Sequence, residues 1–254
     1  MSSLVTLDPN EIAVMRRAGA MLAEVASIVH EHVVPGVRAQ DVDQVAAEEI
    51  RRRGCLPAFL GYAVPGILTP FPAVSCISVN DRVVHGIPDD RKFLIDDVVS
   101  VDLGLSFGGY FADSAFTVVL GQDKMSWRLV RTAENAWRAG VAAIRPGARL
   151  GDVGAAIQEV IEASGFGLVT QYSGHGIGRA LHLPPQVPNF GKRGTGPLLR
   201  PGMVLAIEPM ATMGDPAVRS LADGWSVVTV DGSLAAHHEH TVLVTPTGAE
   251  VLTV

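Results

Sequence analysis

The spacing of apolar and polar residues predicts long amphipathic helices in both halves of this chain. Asp8 is followed by a proline and, three residues later, by a glutamate, which is a helix-start signal before apolar residues at helical spacing. We expect this first helix over residues 9–33 and a second one over residues 41–54. A third helical pattern covers residues from about 123 to 144.

Shorter apolar runs rich in β-branched residues predict strands between and after these helices. The predicted strands cover residues 76–79, 98–103, 110–120, 204–207, 225–230 and 239–244. Glycine and proline crowd residues 184–202, which we expect to form a loop, and the glycine-rich residues 173–182 are expected to be irregular. Helix pairs followed by strands indicate the α+β fold class.

One segment recurs at an offset of 111 residues along the chain. PGVRAQDV at residues 35–42 matches PGARLGDV at residues 146–153, and the match continues at Glu48 and Glu159, Ile50 and Ile161, and Gly54 and Gly165. We therefore predict two related halves, at about 9–120 and 123–254, each with a helix pair followed by strands. Because no Ser/Pro-rich linker separates the halves, residues 1–254 are expected to form one domain with a shared sheet.

Composition limits the classes of function. The chain has 254 residues, 48% of them hydrophobic, and a formal net charge of -6, which favours a globular protein over a nucleic-acid or anionic-membrane surface. The start of the sequence lacks a secretory signal pattern, and apolar runs fall short of the ~18 residues that span a bilayer. We therefore expect a cytoplasmic location. Cys55 and Cys76 are expected to be free thiols, because their spacing matches no CxxC motif.

Two aspartates lie eleven residues apart on strands that a glycine-rich turn could join. A tight antiparallel hairpin would bring Asp102 and Asp113 to one site, where two like charges are tolerated only with a cation between them. Asp102 is flanked by Val101 and Leu103 in a strand expected to be buried, and a buried carboxylate needs partners. The alternative is that both are ordinary turn carboxylates.

Further ionisable candidates lie beside predicted strands. Glu208 ends an apolar strand before a proline, His85 ends another beside a glycine, and SGHGIGRALH carries His175 and His182. The stretch AAHHEHT adds Glu239 among three histidines. A lone histidine in such a place is usually structural. Taken together, two Asp, two Glu and one His suit a pair of first-row divalent ions and metal-assisted hydrolysis.

Five blocks of sequence occur along the chain in this order: SCISVNDRVVHGIP, VDLG…GYFADSAFTV, SGHGIGRALH, PGMVLAIEPM and DGWSVVT…EHTVLVT. With these blocks the chain resembles the type I methionine aminopeptidases over nearly its whole length. The resemblance implies the pita-bread fold shared with creatinase, aminopeptidase P and prolidase, in which two pseudo-symmetric halves share a curved antiparallel sheet. It also implies metal-dependent removal of the initiator methionine from nascent peptides and proteins with a small second residue.

The same resemblance implies a dinuclear metal centre. Its two divalent ions would be Co, Mn, Fe, Zn or Ni, and its ligands would be Asp102, Asp113, His175, Glu208 and Glu239. Asp113 and Glu239 would bridge both ions, Asp102 would hold one ion, and His175 and Glu208 would complete the other. The sequence does not decide among these metals, because all of them suit such oxygen and nitrogen ligands.

Catalytic roles are implied for three residues. His85 and His182 would contact the scissile peptide, His85 at its nitrogen and His182 at its carbonyl oxygen. Glu208 would also act as general base for a metal-bound water, whose hydroxide attacks the carbonyl. The implied partners are nascent polypeptides with an N-terminal methionine and, transiently, the ribosome. No nucleic-acid substrate and no membrane are implied, and a monomer is expected.

A pocket for the methionine side chain is implied as well. Its residues would be Phe59, Tyr62, Phe71, Cys76, Leu181 and Trp225. Two of these depart from the family's pattern, since Phe59 stands where a cysteine is common and Leu181 where a phenylalanine is common. Residues 63–70 form an insertion beside this pocket. The insertion either reshapes the pocket mouth, narrows the accepted second residue or covers the site, or it is a harmless surface loop.

Within AAHHEHT, strand alternation puts His237 on the same face as Glu239 and turns His238 and His240 the other way. His237 occupies a position where the family commonly has glutamine. We hypothesise that it lies just outside the metal ligands. His238 and His240 are expected to be structural.

Two other functions remain open at this point. A proline-directed peptidase of the same fold would share the metal ligands, although the short segment before the first helix and the pocket residues argue against it. A non-catalytic pita-bread binding protein would typically have lost metal ligands, whereas all five are present in this sequence.

Overall fold

The computed structural model describes residues 4–254, and its helices and antiparallel strands confirm the α+β class. In this part of the chain the α-helices are α1 (Pro9–His32), α2 (Ala39–Arg52), α3 (Lys124–Ala142) and α4 (Leu150–Ala163). The strands are β1 (Leu56–Pro57), β2 (Ser75–Val79), β3 (Arg82–Val84), β4 (Val98–Phe107), β5 (Tyr110–Val119), β6 (Gly167–Leu168), β7 (Ser173–Gly176), β8 (Leu183–Pro188), β9 (Val204–Ile207), β10 (Met210–Thr212), β11 (Val218–Ser220), β12 (Val227–Thr229), β13 (Ala235–His237), β14 (Glu239–Val244) and β15 (Ala249–Val251).

The helix-start signal at Asp8 forms a complete capping box. The Asp8 carboxylate accepts hydrogen bonds from the backbone N–H groups of Asn10 (2.7 Å) and Glu11 (3.0 Å), and the Glu11 carboxylate accepts one from the Asp8 N–H (2.8 Å). These bonds satisfy N–H groups that a helix leaves free at its start. The observed α1 therefore begins at the predicted residue and ends one residue before the predicted end.

The second helix begins two residues before its predicted start. The N–H groups of Ala39 and Gln40 donate to the backbone carbonyls of Arg91 and Asp89, so another segment caps this helix. Asp41 lies inside the first turn, where its carboxylate accepts two hydrogen bonds from Arg38. The predicted start was wrong because this capping comes from backbone about fifty residues away, which local sequence does not reveal.

The sequence repeat has a counterpart in the helices. Helices α2 and α4 have 14 residues each. Their first residues, Ala39 and Leu150, are separated by the same 111 positions as the two copies of the sequence repeat. Helices α1 and α2 share an apolar core with β2, β4 and β5, whereas α3 and α4 share one with β8, β9 and β14. The division of residues 1–254 into one domain with two halves remains a prediction.

A large antiparallel sheet positions the candidate site. Over residues 4–254 it has nine strands, bonded in the order β1-β4-β5-β14-β9-β7-β8, with β2 also paired to β4 and β15 to β14. Strand β14 pairs with β5 on one side and with β9 on the other. Strands that are far apart in sequence therefore meet at the middle of the sheet. The two smaller sheets of this region have the orders β13-β10-β6 and β11-β12-β3.

Two segments predicted to be irregular contain strands. Residues 173–176 form β7, and the predicted loop over 184–202 begins inside β8, which pairs with β7. These predictions were wrong because the glycines serve close strand packing. A Cβ atom at Gly174 would lie 2.2 Å from the backbone carbonyl oxygen of Ala206 on β9, so only glycine lets these strands approach each other.

The strand predicted over residues 225–230 is shorter than expected. The N–H groups of Trp225 and Ser226 donate to the Asp223 carboxylate at 2.9 and 2.8 Å, which forms a turn just before β12. An aspartate that binds the following backbone in this way competes with strand pairing. Among the helices of residues 4–254, none combines the length and the apolar character that a membrane crossing requires.

Candidate metal centre and adjoining pocket

The five predicted metal ligands lie on one face of the central sheet. In the hairpin of β4 and β5, Gly104 is opposite Asp113 and Asp102 is opposite Ala115. Residues two apart along a strand share a face, and directly opposite residues do so as well. The two aspartates therefore project to the same side, as the predicted hairpin requires.

The same register continues across the next strands. Glu239 on β14 is opposite Ala115, and its neighbour His240 is opposite Ile207, which brings Glu239 beside Glu208 at the end of β9. His175 on β7 is opposite Ala206. Strand pairing alone therefore gathers the carboxylates and the imidazole from five strand segments.

Short distances separate the ligand atoms of these residues. The Nε2 atom of His175 lies 3.7 Å from Oδ2 of Asp113 and 3.7 Å from Oε1 of Glu208. Donor atoms of Asp113, His175 and Glu239 all lie within 4.8 Å of one another, and so do those of Asp102, His237 and Glu239. Separations of this size are suitable for ligands of common ions.

Burial changes the acidity of this cluster. It raises the pKa of Asp113 to about 7. Burial, and secondly repulsion from Asp113, raises the pKa values of Asp102, Glu208 and Glu239 well above their usual range. Four neighbouring buried carboxyl groups can all be ionised only when positive charge lies among them.

The imidazole of His175 is oriented as a ligand. Its Nδ1 lies 3.0 Å from the carbonyl oxygen of Gly176, so the Nδ1 proton is donated there and the Nε2 lone pair faces the carboxylates. Burial lowers the pKa of His175 to about 3, which keeps the ring neutral. A neutral imidazole with a free nitrogen is the form that binds metals.

Several buried polar atoms in the cluster have no hydrogen-bond partner within residues 4–254. They are Oδ1 of Asp102, Oδ1 of Asp113, Oε1 of Glu239 and Nε2 of His237. Such atoms are rare in folded proteins because each one costs free energy. Bound divalent cations would satisfy them, and a set of carboxylate oxygens with imidazole nitrogen fits first-row metals.

Two residues that sequence reasoning missed hold the ligand strands in place. The Thr241 hydroxyl accepts a hydrogen bond from the Asp113 N–H (2.9 Å) and donates one to the Asp113 carbonyl (2.8 Å). The Asn189 side-chain amide donates to the backbone carbonyl of Glu208 (3.0 Å). Thr241 lies two residues after Glu239 on the same strand, so strand alternation could have predicted that both side chains lie on the same face of the sheet.

All thirteen residues that the sequence singled out for the site border one cavity of about 440 Å³. They are Phe59, Tyr62, Phe71, Cys76, His85, Asp102, Asp113, His175, Leu181, His182, Glu208, Trp225 and Glu239. Val64, Tyr172 and Gln186 line it too and were not identified from sequence. Tyr172 directly precedes the block SGHGIGRALH, whereas Gln186 lies in the predicted loop that follows this block and Val64 lies in the insertion.

The cavity also has an apolar part of its lining, its apolar side. Phe59, Phe71, Cys76, Leu181 and Trp225 belong to one buried apolar cluster. Phe71 and Trp225 meet edge to face with ring centroids 5.3 Å apart. The Trp225 indole N–H donates to the carbonyl of Thr69 in the insertion (2.9 Å). The insertion is therefore attached to this apolar side, while Leu68 at its tip is fully exposed.

Two further histidines border the cavity, His85 and His182. Nδ1 of His182 is 2.6 Å from the Tyr62 hydroxyl oxygen, and the His182 ring centroid is 4.2 Å from that of His175. His85 has a left-handed backbone (φ 57) and packs edge to face against Tyr172. Burial lowers the pKa values of both, that of His85 to about 4, so both rings are neutral near pH 7.

The three histidines of AAHHEHT divide between two environments. His237 is 2% exposed and faces the carboxylates, with Nε2 3.7 Å from Oε2 of Glu239. His238 and His240 face away and pack against Trp137, with ring centroids 5.3 and 4.7 Å from it. The alternation predicted for this stretch is confirmed even though a short break at His238 separates β13 from β14.

This chain is similar to known proteins over nearly its whole length. The model of metallopeptidase family M24 matches residues 13–246. A methionine aminopeptidase of Clostridium perfringens is 43% identical, covering 98% of each chain, and one of Aquifex aeolicus is 44% identical, covering 96% of each. A solved methionine aminopeptidase of Thermotoga maritima has a TM-score of 0.95 at 43% identity and covers 99% of each chain.

More distant structures share the fold. A prolidase of Pyrococcus furiosus has a TM-score of 0.77 at 22% identity, and the match covers 98% of this chain but 65% of the prolidase. At this identity the likeness concerns the pita-bread fold alone.

Proposed function

This chain belongs to metallopeptidase family M24 and, within it, to the methionine aminopeptidases, and from this we propose how its residues act. It is a metal-dependent hydrolase that removes the initiator methionine from nascent peptides and proteins whose second residue is small. The observation that carries the residue assignment is the cluster of carboxyl groups with buried, unpaired oxygens in the wall of a cavity that also has an apolar lining. We assign two divalent ions to this cluster.

The residues that would hold the ions are Asp102, Asp113, His175, Glu208 and Glu239, and Asp113 and Glu239 would serve both ions. When bound, such ions polarise a carbonyl oxygen and make a water molecule more acidic. The fit is supported by the raised carboxyl pKa values, since each of these groups is costly to ionise in the protein alone.

Glu208 is the general base in this proposal. Its carboxylate lies at the end of β9 and borders the cavity, and the Asn189 hydrogen bond holds its backbone. It can therefore take a proton from the attacking water and return it to the leaving amine. Its two oxygens face two imidazoles, Oε1 toward His175 (3.7 Å) and Oε2 toward His237 (3.9 Å).

His182 stabilises the oxygen of the scissile carbonyl in this proposal. A phenol is the better donor, so the Tyr62 hydroxyl donates to Nδ1 of His182 and leaves the proton of the neutral ring on Nε2. This Nε2–H is a hydrogen-bond donor for the oxyanion. His85, which also borders the cavity, is assigned to the nitrogen of the bond that breaks. Contact with the ribosome and the monomeric state remain predictions.

The pocket for the methionine side chain is the apolar side of the cavity. Phe71, Cys76 and Trp225 bury an unbranched thioether well, because sulfur and aromatic edges attract each other. Phe59 and Leu181 complete this side. A substrate seated there extends its second residue past His182 and Tyr62 toward the insertion.

A panel of peptides tests the assignment of substrate. Chelator-treated protein is reloaded with each of Mn, Fe, Co, Ni and Zn and given Met-Ala-Ser, Met-Gly-Ser, Leu-Ala-Ser and Ala-Pro-Ser, with products identified by mass. We expect cleavage of the two methionine peptides, loss of cleavage after chelation and recovery with metal. Preferred cleavage of Ala-Pro-Ser would instead indicate a proline-directed peptidase, and no cleavage by any metal form would indicate a binding protein.

A further inference from the structure

His237 is a buried histidine beside the metal centre that the proposed mechanism does not use. Two strands fix its backbone: its N–H donates to the Thr117 hydroxyl (3.1 Å), the same hydroxyl donates to its carbonyl (2.6 Å), and it is opposite Met210 in the β13–β10 pair. The side chain is 2% exposed. Its direction toward the carboxylates is therefore set by the fold.

The surroundings of His237 repeat those of His175. Nε2 of His237 lies 3.7 Å from Oε2 of Glu239 and 3.9 Å from Oε2 of Glu208, while Nε2 of His175 lies 3.7 Å from Asp113 and 3.7 Å from Oε1 of Glu208. Each imidazole thus faces one bridging carboxylate and one oxygen of Glu208.

The separation of 3.7 Å between Nε2 of His237 and Oε2 of Glu239 is that of two ligands of one ion and not that of a hydrogen bond. A hydrogen bond between nitrogen and oxygen spans ~2.7–3.2 Å. Two ligands held at ~2.0–2.2 Å from one ion can be up to ~4.4 Å apart. Within residues 4–254, Nε2 of His237 has no hydrogen-bond partner, although a buried ring nitrogen normally finds one. Its donor atom also groups with those of Asp102 and Glu239 within 4.8 Å.

We infer that His237 is itself a metal ligand, binding through Nε2 the ion held by Asp102 and Glu239. This inference rests on the proposed dinuclear centre and replaces the hypothesis that His237 lies outside the ligands. Each of the two ions then has one imidazole. Imidazole nitrogen suits Fe, Co, Ni and Zn better than Mn or Mg. The ion held by Asp102 and Glu239 is therefore bound more tightly, and with a stronger preference for those four metals, than it would be with a glutamine at position 237.

Metal titration of the metal-free protein tests the inference without using activity. Wild type, His237→Gln and a control, His238→Gln, are titrated with Co(II), followed by calorimetry and by proton NMR of the Co(II) forms. For wild type and the control we expect two ions and two strongly shifted, exchangeable imidazole N–H signals, from the two histidines on the metal. For His237→Gln we expect the first ion to bind as before, the second at least ~10-fold more weakly, and one shifted signal.

Several results would overturn the inference. Equal affinity for the second ion in wild type and His237→Gln, or two shifted imidazole signals in the variant, would show that His237 is not a ligand. If the variant does not fold, wild type with nitrogen-15 histidine and Zn(II) gives the answer, because a second metal-shifted Nε2 resonance is required. Wild type that binds no divalent ion would instead refute the proposed metal centre itself.

Discussion

The two sides of the cavity are built in different ways. The carboxylate side comes from residues on or directly beside adjacent strands of one sheet, namely β4, β5, β14, β9 and β7, so backbone pairing fixes each position. The apolar side comes largely from connections: Phe59, Tyr62 and Phe71 lie between β1 and β2, Leu181 between β7 and β8, and Trp225 between β11 and β12. Local backbone hydrogen bonds join Phe59, Tyr62 and Phe71, and side-chain contacts within one apolar cluster hold the rest of this group.

This difference predicts different consequences of substitution. A change on the carboxylate side alters charge and leaves the sheet in place, because the backbone hydrogen bonds do not depend on those side chains. A change on the apolar side alters shape, because removing one ring frees its neighbours to move. We therefore expect effects on kcat from the first side and effects on KM and peptide preference from the second.

Asp113→Asn tests the carboxylate side and has the largest expected effect. The amide keeps the shape of the side chain but removes a charge that both ions share in the proposal. We expect kcat/KM on Met-Ala-Ser to fall roughly 1,000-fold or more, with an unchanged circular dichroism spectrum. Glu31→Gln, on the exposed surface of α1, is the matched control. Undiminished turnover in Asp113→Asn would refute the bridging role.

In metal-free protein the same substitution should stabilise the fold. Burial raises the pKa of Asp113 to about 7, so the folded state holds this proton while the unfolded chain releases it near pH 4. Wild type therefore loses stability as pH rises from about 4 to about 7, whereas an asparagine does not titrate. We expect the stability advantage of Asp113→Asn to grow across this window in urea titrations. A constant difference between the two proteins would contradict the raised pKa.

Trp225→Ala tests the apolar side. It removes the contact with Phe71 and the hydrogen bond to Thr69. We expect KM for methionine peptides to rise ~10-fold or more, since about 1.4 kcal/mol of lost binding is tenfold, with a smaller change in kcat. Trp127→Ala, at an exposed tryptophan on α3, is the control. If Trp225→Ala lowered kcat and left KM unchanged, the expectation that the apolar side controls KM and the carboxylate side controls kcat would be wrong.

Tyr62→Phe tests the junction of the two sides. The substitution removes only the hydroxyl that bonds to Nδ1 of His182, so the ring tautomer is no longer fixed. We expect kcat to fall roughly 3- to 10-fold, the usual value of one hydrogen bond, and the pH profile of kcat to change. Tyr110→Phe, which removes a hydroxyl bonded to the distant Glu11, should change neither. Equal behaviour of the two variants would exclude a positioning role for Tyr62.

The contrast also explains how much the sequence could predict. Asp102 and Asp113 could be grouped in advance because the register of a hairpin follows from local patterns. Glu239 joined them through the resemblance to a family, because its strand β14 and the strand β5 beside it are far apart in sequence. Val64 could not be placed in advance, because its position depends on how the connection between β1 and β2 folds. Gln186 was missed because it lies opposite His175 on β8, inside a segment predicted to be a loop. The β7 strand was missed for a related reason: its glycines resemble a loop in sequence, while their actual role is the close approach of Gly174 to Ala206.

The insertion over residues 63–70 gives the smallest expected effect and the sharpest test of the apolar side. Val64 borders the cavity beside Tyr62, whereas Leu68 in the same insertion is fully exposed. If the insertion narrows the space for the second residue, Val64→Ala should raise the rate on Met-Val-Ser relative to Met-Ala-Ser roughly 3-fold. Leu68→Ala should leave this ratio unchanged. If both variants keep the wild-type ratio, the insertion is a surface loop that happens to lie at the cavity. If both raise it, the mobility of the insertion, and not the Val64 side chain, controls which second residue is accepted.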